Sequence, residues 1–228
     1  MNFLGFCALS SDDDREYPPE PRWPAFIALL AVGGLHAALP SEVAVGPRWL
    51  VLAVVSILLI PNAVAHWQGK HAANHAIGIA LNGAVTISLV WSLALLVQAL
   101  PEHKETSRKL LISAAALWTT NILVFASWYW RLDAGGPHRR DARPGHPDGA
   151  FLFPQMTLPD EDKAACDAEN WQPQFVDYLF LAFNTSTALS PTDVPVLSRW
   201  AKLLMMLQSS ISLTIIALLG ARAVNILR

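Results

Sequence analysis

Residues 174–196 read QFVDYLFLAFNTSTALSPTDVPV, and this stretch decides how the last third of the chain folds. Its apolar part, Val176 to Phe183, is followed by the polar residues 184–187. As a helix, residues 174–188 would extend about 22 Å at 1.5 Å per residue, which is short of the roughly 30 Å hydrocarbon core of a bilayer. Because lipid cannot satisfy non-helical backbone groups, the pattern favours a half-helix that enters the membrane and turns back inside a protected interior.

The whole chain has the composition of an integral membrane protein. Of its 228 residues, 53% are hydrophobic and 15% are charged, against about 25% charged in soluble domains. The net charge of −2 provides no basic field for nucleic acid. No Gly-rich phosphate loop, G-x-S-x-G or H-E-x-x-H motif is present to support catalysis. We therefore expect a multi-pass membrane protein that is not an enzyme, needs no cofactor, and has membrane lipids rather than nucleic acid as partners.

Hydropathy and charge divide the chain into three parts. Residues 1–23 form a polar N-terminal tail, residues 24–108 hold three transmembrane helices, and residues 109–228 form a pore-like module. The module comprises an outer helix (109–131), a hydrophilic loop (132–173), a pore helix with a filter-like turn (174–195) and an inner helix (198–227). We expect the apolar FLFPQM within the loop, residues 151–156, to pack back onto the helices. The predicted fold is all-α, with about five transmembrane helices plus a re-entrant pore helix.

The stretch from about Asp177 to Arg228 resembles the pore helix, filter and inner helix of the two-helix, pore-loop potassium channel superfamily, whose filter reads T-T-V-G-Y-G-D. The filter-like residues, aligned on the aspartate, are Thr187, Ala188, Leu189, Ser190, Pro191, Thr192 and Asp193. The chain is also similar to a group of bacterial membrane proteins with W-Y-W-x-L-D-x-G-G-P and S-P-T-D, here residues 128–137 and 190–193. The resemblance implies a channel-like protein of the bacterial inner membrane, with self-association into a homotetramer around a central axis.

The filter-like turn departs from the potassium-channel pattern at its two glycines. Ser190 and Thr192 occupy those positions, with Pro191 between them. Glycine reaches positive φ easily, whereas threonine meets a steric cost there and proline fixes φ near −65°. We therefore expect a wider path that passes monovalent cations with weak selectivity, favoured by a ring of Asp193 carboxylates. The hydroxyls expected to line it belong to Thr185, Ser186, Thr187, Ser190 and Thr192.

Two of these features have a simpler interpretation. Ser-Pro-Thr-Asp at residues 190–193 is also typical of a turn that caps the following helix. Asp177 lies in the first turn of the short helix, where the helix dipole favours a carboxylate. The alternative for Asp177 is a hydrogen bond that anchors the pore helix or a role in relaying cations.

Other polar residues are assigned structural roles. A set of polar residues at membrane depth is expected to join helices rather than contact a substrate. They are Asn121 with Thr119 and Thr120, and Ser209, Ser210, Ser212 and Thr214. His71 and His75 have the i, i+4 spacing of a metal-binding pair. Because no third ligand accompanies them in the sequence, no metal site is predicted.

Three functions remain open: a cation-passing channel, a non-conducting scaffold or partner-binding subunit, and a small-solute transporter. The transporter is disfavoured because the chain lacks two related halves with interrupted helices. The re-entrant arrangement places the loop 132–173 outside the cell and the C-terminus in the cytoplasm. A complete crossing by residues 175–194 would instead bring both termini to one side, and the distribution of Lys and Arg agrees better with that alternative.

Overall fold

A computed structural model describes most of the chain, and its ranges are residues 20–99, 107–142, 148–159, 162–163, 171–187 and 193–226. Residues 1–19 of the predicted tail, parts of the predicted loop, and residues 188–192 of the filter-like turn lie outside these ranges.

The described chain is helical. Its α-helices are α1 (Trp23–Ala37), α2 (Leu50–Trp67), α3 (His71–Ala99), α4 (Ser107–Leu132), α5 (Pro137–Asp141), α6 (Phe175–Thr187) and α7 (Arg199–Ile226). Short 3-10 turns occupy Asp133–Gly135 and Pro154–Thr157. No β-strand occurs in the described ranges, where the only β-type pairing is an isolated antiparallel bridge between Phe151 and Val196.

Three stretches are long and apolar enough to cross a membrane, namely His71–Ala99, Arg108–Gly135 and Arg199–Ala221. Trp23–Ala37 and Leu50–Ala65 are shorter apolar helices. The described structure is thus compatible with an all-α membrane protein.

Helix α4 lies at the centre of the bundle and contacts α1, α3, α6 and α7. It is the most buried of the three long apolar helices, and α7 is the least buried. Phe125 and Tyr129 of α4 are fully buried, as are Tyr178 and Leu181 of α6. The apolar face of α6 therefore packs on α4, and this positions the short helix.

The loop after α4 folds back onto the helices. Phe151 is 1% exposed and Phe153 is 3% exposed. The ring of Phe151 lies 6.2 Å from that of Tyr178, in the first turn of α6, and 6.1 Å from that of Trp200, at the start of α7. The expectation that this apolar segment packs onto the helices is confirmed.

Helices α6 and α7 run in the same direction. Both begin beside Phe151, and further along them Gln208 of α7 donates a hydrogen bond to Ser186 near the end of α6 (Nε2 to Oγ, 2.7 Å). Since both helices begin at one end of the bundle, the connection after Thr187 must return to the end at which α6 began.

Two backbone hydrogen bonds fix the returning segment at that end. The N–H of Leu152 donates to the carbonyl of Pro195 at 3.0 Å, and the N–H of Leu197 donates to the carbonyl of Ala150 at 2.8 Å. The residues just before α7 are therefore tied to the loop that follows α4.

Candidate functional site

A buried amide joins the three helices of the pore-like module. Gln208 of α7 is fully buried, and its Nε2 donates to the carbonyl of Ala182 and to Ser186 Oγ, both at 2.7 Å. Its Oε1 accepts a hydrogen bond from the Tyr129 hydroxyl at 2.5 Å. A polar group without a partner is costly in an apolar interior, so this side chain holds α4, α6 and α7 in one register.

Asn121 of α4 extends this cluster. Its Nδ2 donates to Ser212 Oγ at 2.9 Å and to the Gln208 carbonyl at 3.2 Å, and it lies 3.4 Å from Ser186 Oγ. Asn121 and Ser212 therefore join α4 to α7, which confirms the structural role expected for these two. The hydroxyls of Thr119, Thr120, Ser210 and Thr214 instead donate to carbonyls of their own helices. We refer to Asn121, Tyr129, Ser186, Gln208 and Ser212 as the interhelix polar cluster.

The residues predicted to line a pore separate into two groups. Thr185 and Ser186 are buried inside the chain, where Thr185 donates to the Leu181 carbonyl at 2.8 Å and Ser186 belongs to the interhelix polar cluster. Thr187 and Asp193 are exposed on the surface of the chain. The remaining predicted residues, Ala188, Leu189, Ser190, Pro191 and Thr192, lie outside the described ranges.

Asp177 stabilises the first turn of α6. Its Oδ2 accepts a hydrogen bond from the N–H of Gln174 at 2.8 Å. An acidic side chain three residues after the N-cap that reaches back to the N-cap N–H is the return bond of a capping box. The carboxylate is thus engaged at the helix start, in the position that the helix dipole favours.

Asp133 anchors the start of α6 to the end of α4. Its Oδ2 accepts a hydrogen bond from the Tyr178 hydroxyl at 2.6 Å, and its Oδ1 accepts one from the N–H of Ala150 at 2.5 Å. Its backbone carbonyl accepts a bond from Arg140 at 2.9 Å. One buried aspartate therefore holds together α6, α5 and the loop around Ala150.

A buried ionic group lies beside Asp133. Arg140 donates through Nη2 to Glu20 Oε2 at 2.8 Å, and Arg22 donates to the same oxygen at 3.3 Å. Arg22 also pairs with Asp141, and Trp130 Nε1 donates to Glu20. These pairs tie the start of α1 to the end of α4.

Arg140 is fully charged in this setting. Burial alone would lower the pKa of its guanidinium, but the attraction of the Glu20 and Asp133 carboxylates and the hydrogen bond to Glu20 outweigh burial and raise that pKa. The guanidinium also lies over the Tyr178 ring, 5.2 Å from the ring centroid. Its role is to neutralise the buried carboxylates at this end of the bundle.

The described ranges contain no group of three or more His, Cys, Asp or Glu side chains that could hold a metal ion. The ring of His71 packs at 4.2 Å, between centroids, from that of His138 on α5. The geometry of the described residues thus supplies helix-joining polar groups and buried ion pairs rather than metal ligands.

Sequence reasoning missed Gln208, Tyr129, Glu20 and Arg140. A glutamine within an apolar helix was a usable signal for Gln208, since polar residues at membrane depth usually bond to a neighbouring helix. No comparable local signal marked Glu20, because its partner Arg140 is 120 positions away in the chain.

Comparison with models of protein families, with curated proteins and with solved structures finds no match.

Proposed function

We propose that the chain is an ion channel-like integral membrane protein, with five membrane-spanning helices and a re-entrant α6, that passes cations with weak selectivity through an oligomeric pore. The observation that supports this proposal best is the parallel course of α6 and α7 from one end of the bundle. A helix that had crossed the membrane completely would leave the next helix to start at the opposite end. The chain instead enters, returns and then crosses.

The length of α6 supports the same arrangement. Its 13 residues extend about 20 Å at 1.5 Å per residue, against the roughly 30 Å needed to cross. Helix α7 has 28 residues, which is ample. The ionic pairs of Glu20 and Arg22 with Arg140 and Asp141 place the start of α1 at the end where α7 begins. Because α1 and α7 begin at the same end, an even number of crossings must come before α7. In this proposal those crossings are α1, α2, α3 and α4, and α7 is the fifth.

In this proposal the permeation path runs past Thr187, the segment 188–192 and Asp193. The hydroxyls of Thr185 and Ser186 are already bonded within the chain, so they act as supports of α6 rather than as pore surface. Exposed Asp193 carboxylates, repeated around an axis, attract cations. Side chains at Ser190, Pro191 and Thr192 make selectivity weak, because a narrow ladder of carbonyls needs the backbone freedom of glycine.

A pore of this type closes only when several copies surround an axis, and self-association is part of the proposal. Helix α7 is the least buried long helix of the chain. Leu203 and Met206 of α7 are 66% and 65% exposed, and Val176 and Phe180 of α6 are 62% and 59% exposed. These faces of α6 and α7 are offered to lipid and to neighbouring copies, and the resemblance to potassium channels suggests four copies.

Flux into liposomes tests the proposal. Purified protein in liposomes is expected to carry monovalent cations, and Asp193→Asn is expected to reduce the flux several-fold because the ring of negative charge is lost. Glu42→Gln is the matched control, since it removes the same charge from an exposed residue between α1 and α2. Flux no greater than that of protein-free liposomes, or equal flux in the Asp193→Asn and wild-type proteins, would contradict conduction along this path.

One observation favours a second candidate, a non-conducting scaffold or partner-binding subunit. The polar side chains of α6 that the structure describes as buried bond within the chain, which leaves them unavailable to a permeating ion. A protein that is monomeric in detergent and passes no ions would support this second candidate.

A further inference from the structure

A basic cavity lies where α3 begins and α4 ends, next to α5. Its volume is about 500 Å³, within the 300–1,000 Å³ typical of small-molecule sites. The side chains with basic nitrogens that line it are His71, His75, Arg131, His138 and Arg139. None of the lining residues that the structure describes is Asp or Glu.

Arg131 lines this cavity and has no carboxylate partner among the described residues. It is 2% exposed; within the same part of the chain its Nε has no hydrogen-bond partner, and its Nη1 has only the Asn74 carbonyl, at 3.5 Å. Within the described ranges it forms no ion pair, and the charged neighbour that acts on it, Arg22, has the same sign. A buried charge without a partner is strongly unfavourable.

The comparison with Arg140 at the same end of the bundle makes this deficit plain. Arg140 is 3% exposed, yet it bonds to the Glu20 carboxylate and to two backbone carbonyls. Arg131 has instead a contact with the Trp130 ring, 5.5 Å from the centroid, and a cation–π contact of this kind replaces only part of what a carboxylate supplies. An unused set of guanidinium donors therefore lines a cavity that is itself basic.

Two glycines, Gly78 and Gly136, lie in close contact with Arg131. A Cβ added at Gly78 of α3 would lie 1.8 Å from Nη1 of Arg131, so a larger residue there would require the guanidinium to move. Gly136 has φ +94°, and a Cβ there would lie 2.7 Å from the Arg131 carbonyl. Gly78 thus lets α3 approach the guanidinium, and Gly136 lets the turn after α4 approach the backbone of Arg131.

We propose that this cavity binds a phosphate group, with Arg131 as its principal partner and Arg139 and the histidines as further donors. A guanidinium presents parallel N–H groups that match two oxygens of one oxyanion. The first turn of α3 adds the partial positive charge of a helix N-terminus. The bound group belongs either to a soluble phosphate compound or to an anionic phospholipid, because the cavity lies at the ends of two helices able to span a membrane.

Thermal unfolding of the purified full-length protein tests this site independently of conduction. Sodium phosphate is compared with sodium chloride at equal ionic strength, and phosphatidylglycerol is compared with phosphatidylcholine in mixed micelles. We expect phosphate, phosphatidylglycerol or both to raise the Tm of the wild-type protein. Stabilisation by phosphatidylglycerol alone identifies a headgroup site, whereas stabilisation by both shows that the phosphate group is recognised whatever carries it.

Substitutions separate binding from folding. Arg131→Met is expected to raise at least tenfold the concentration of phosphate or phosphatidylglycerol that gives half of the maximal Tm increase. In phosphate-free buffer the variant should unfold at the wild-type Tm or higher, because an unpaired buried charge has been removed. Arg139→Gln, at the exposed rim, is expected to weaken binding several-fold with no change in the unliganded Tm. Arg108→Met, an exposed arginine at the start of α4, is the control and should respond as the wild type does.

The proposal is overturned if neither phosphate nor phosphatidylglycerol raises the Tm beyond its chloride or phosphatidylcholine control. It is equally overturned if Arg131→Met retains the full wild-type response.

Discussion

Replacing Gln208 by leucine tests whether the interhelix polar cluster holds α6 in place. The substitution keeps a side chain of similar size but removes the hydrogen bonds to Tyr129, Ala182 and Ser186. Hydrogen bonds between membrane helices contribute about 0.6 kcal/mol on average and up to about 1.7 kcal/mol each. Three such bonds, with the Tyr129 hydroxyl left buried without its acceptor, give an expected loss of about 2–4 kcal/mol.

The assay is equilibrium unfolding of the purified protein in mixed micelles of a mild detergent and sodium dodecyl sulfate. The expected pattern is non-additive, because Tyr129→Phe combined with Gln208→Leu removes both members of one bond and leaves neither unpaired. The double variant should therefore be less destabilised than the sum of the single variants, by about 1 kcal/mol. Ser210→Ala is the matched control on the same helix, since its hydroxyl is exposed and bonds only to the Met206 carbonyl.

Two results would refute this reasoning. If Gln208→Leu destabilises the protein no more than Ser210→Ala does, the cluster does not hold the helices together. If the losses of unfolding free energy in the two single variants add up to the loss in the double variant, the hydrogen bond between the Tyr129 hydroxyl and Gln208 does not contribute to stability.

Two further predictions follow from the positions of α5 and α6. Arg140→Met should destabilise the protein by about 3 kcal/mol or more, because Glu20 and the Asp133 carbonyl lose a buried partner; Arg108→Met should have little effect in the same unfolding assay, and equal effects would exclude a stabilising ionic group. Single cysteines at Gln174 and Ser198, before α6 and α7, should react with a membrane-impermeant maleimide from the same side of the membrane, and labelling from opposite sides would contradict a re-entrant α6.

The helices were predictable because hydropathy is a local property. Long apolar runs indicated α3, α4 and α7, and the structure has helices there. The polar residues after Phe183 predicted a short helix, and the described part of α6 is Phe175–Thr187. The apolar residues around Phe151 indicated a segment that packs inward, as it does.

The charged end of the bundle was not predictable, for a physical reason. Arg140 and Asp133 lie in a stretch rich in glycine, proline and charge, which by composition is typical of a loop exposed to water. Their burial depends on partners distant in the chain, Glu20 and Tyr178, and no local pattern specifies such pairing. Arg131 was missed likewise, because the glycine that admits it belongs to another helix.

Two backbone hydrogen bonds between residues 150–152 and 195–197 connect the loop after α4 to the segment at the mouth of the proposed path. The loop segment is held by Asp133, which accepts a hydrogen bond from the N–H of Ala150. The other segment begins at Pro195, two residues after Asp193. Through these hydrogen bonds, the turn after α4 is coupled to the backbone beside Asp193. A ligand that binds this turn from the aqueous side would therefore act on the backbone next to Asp193, in the path that we propose.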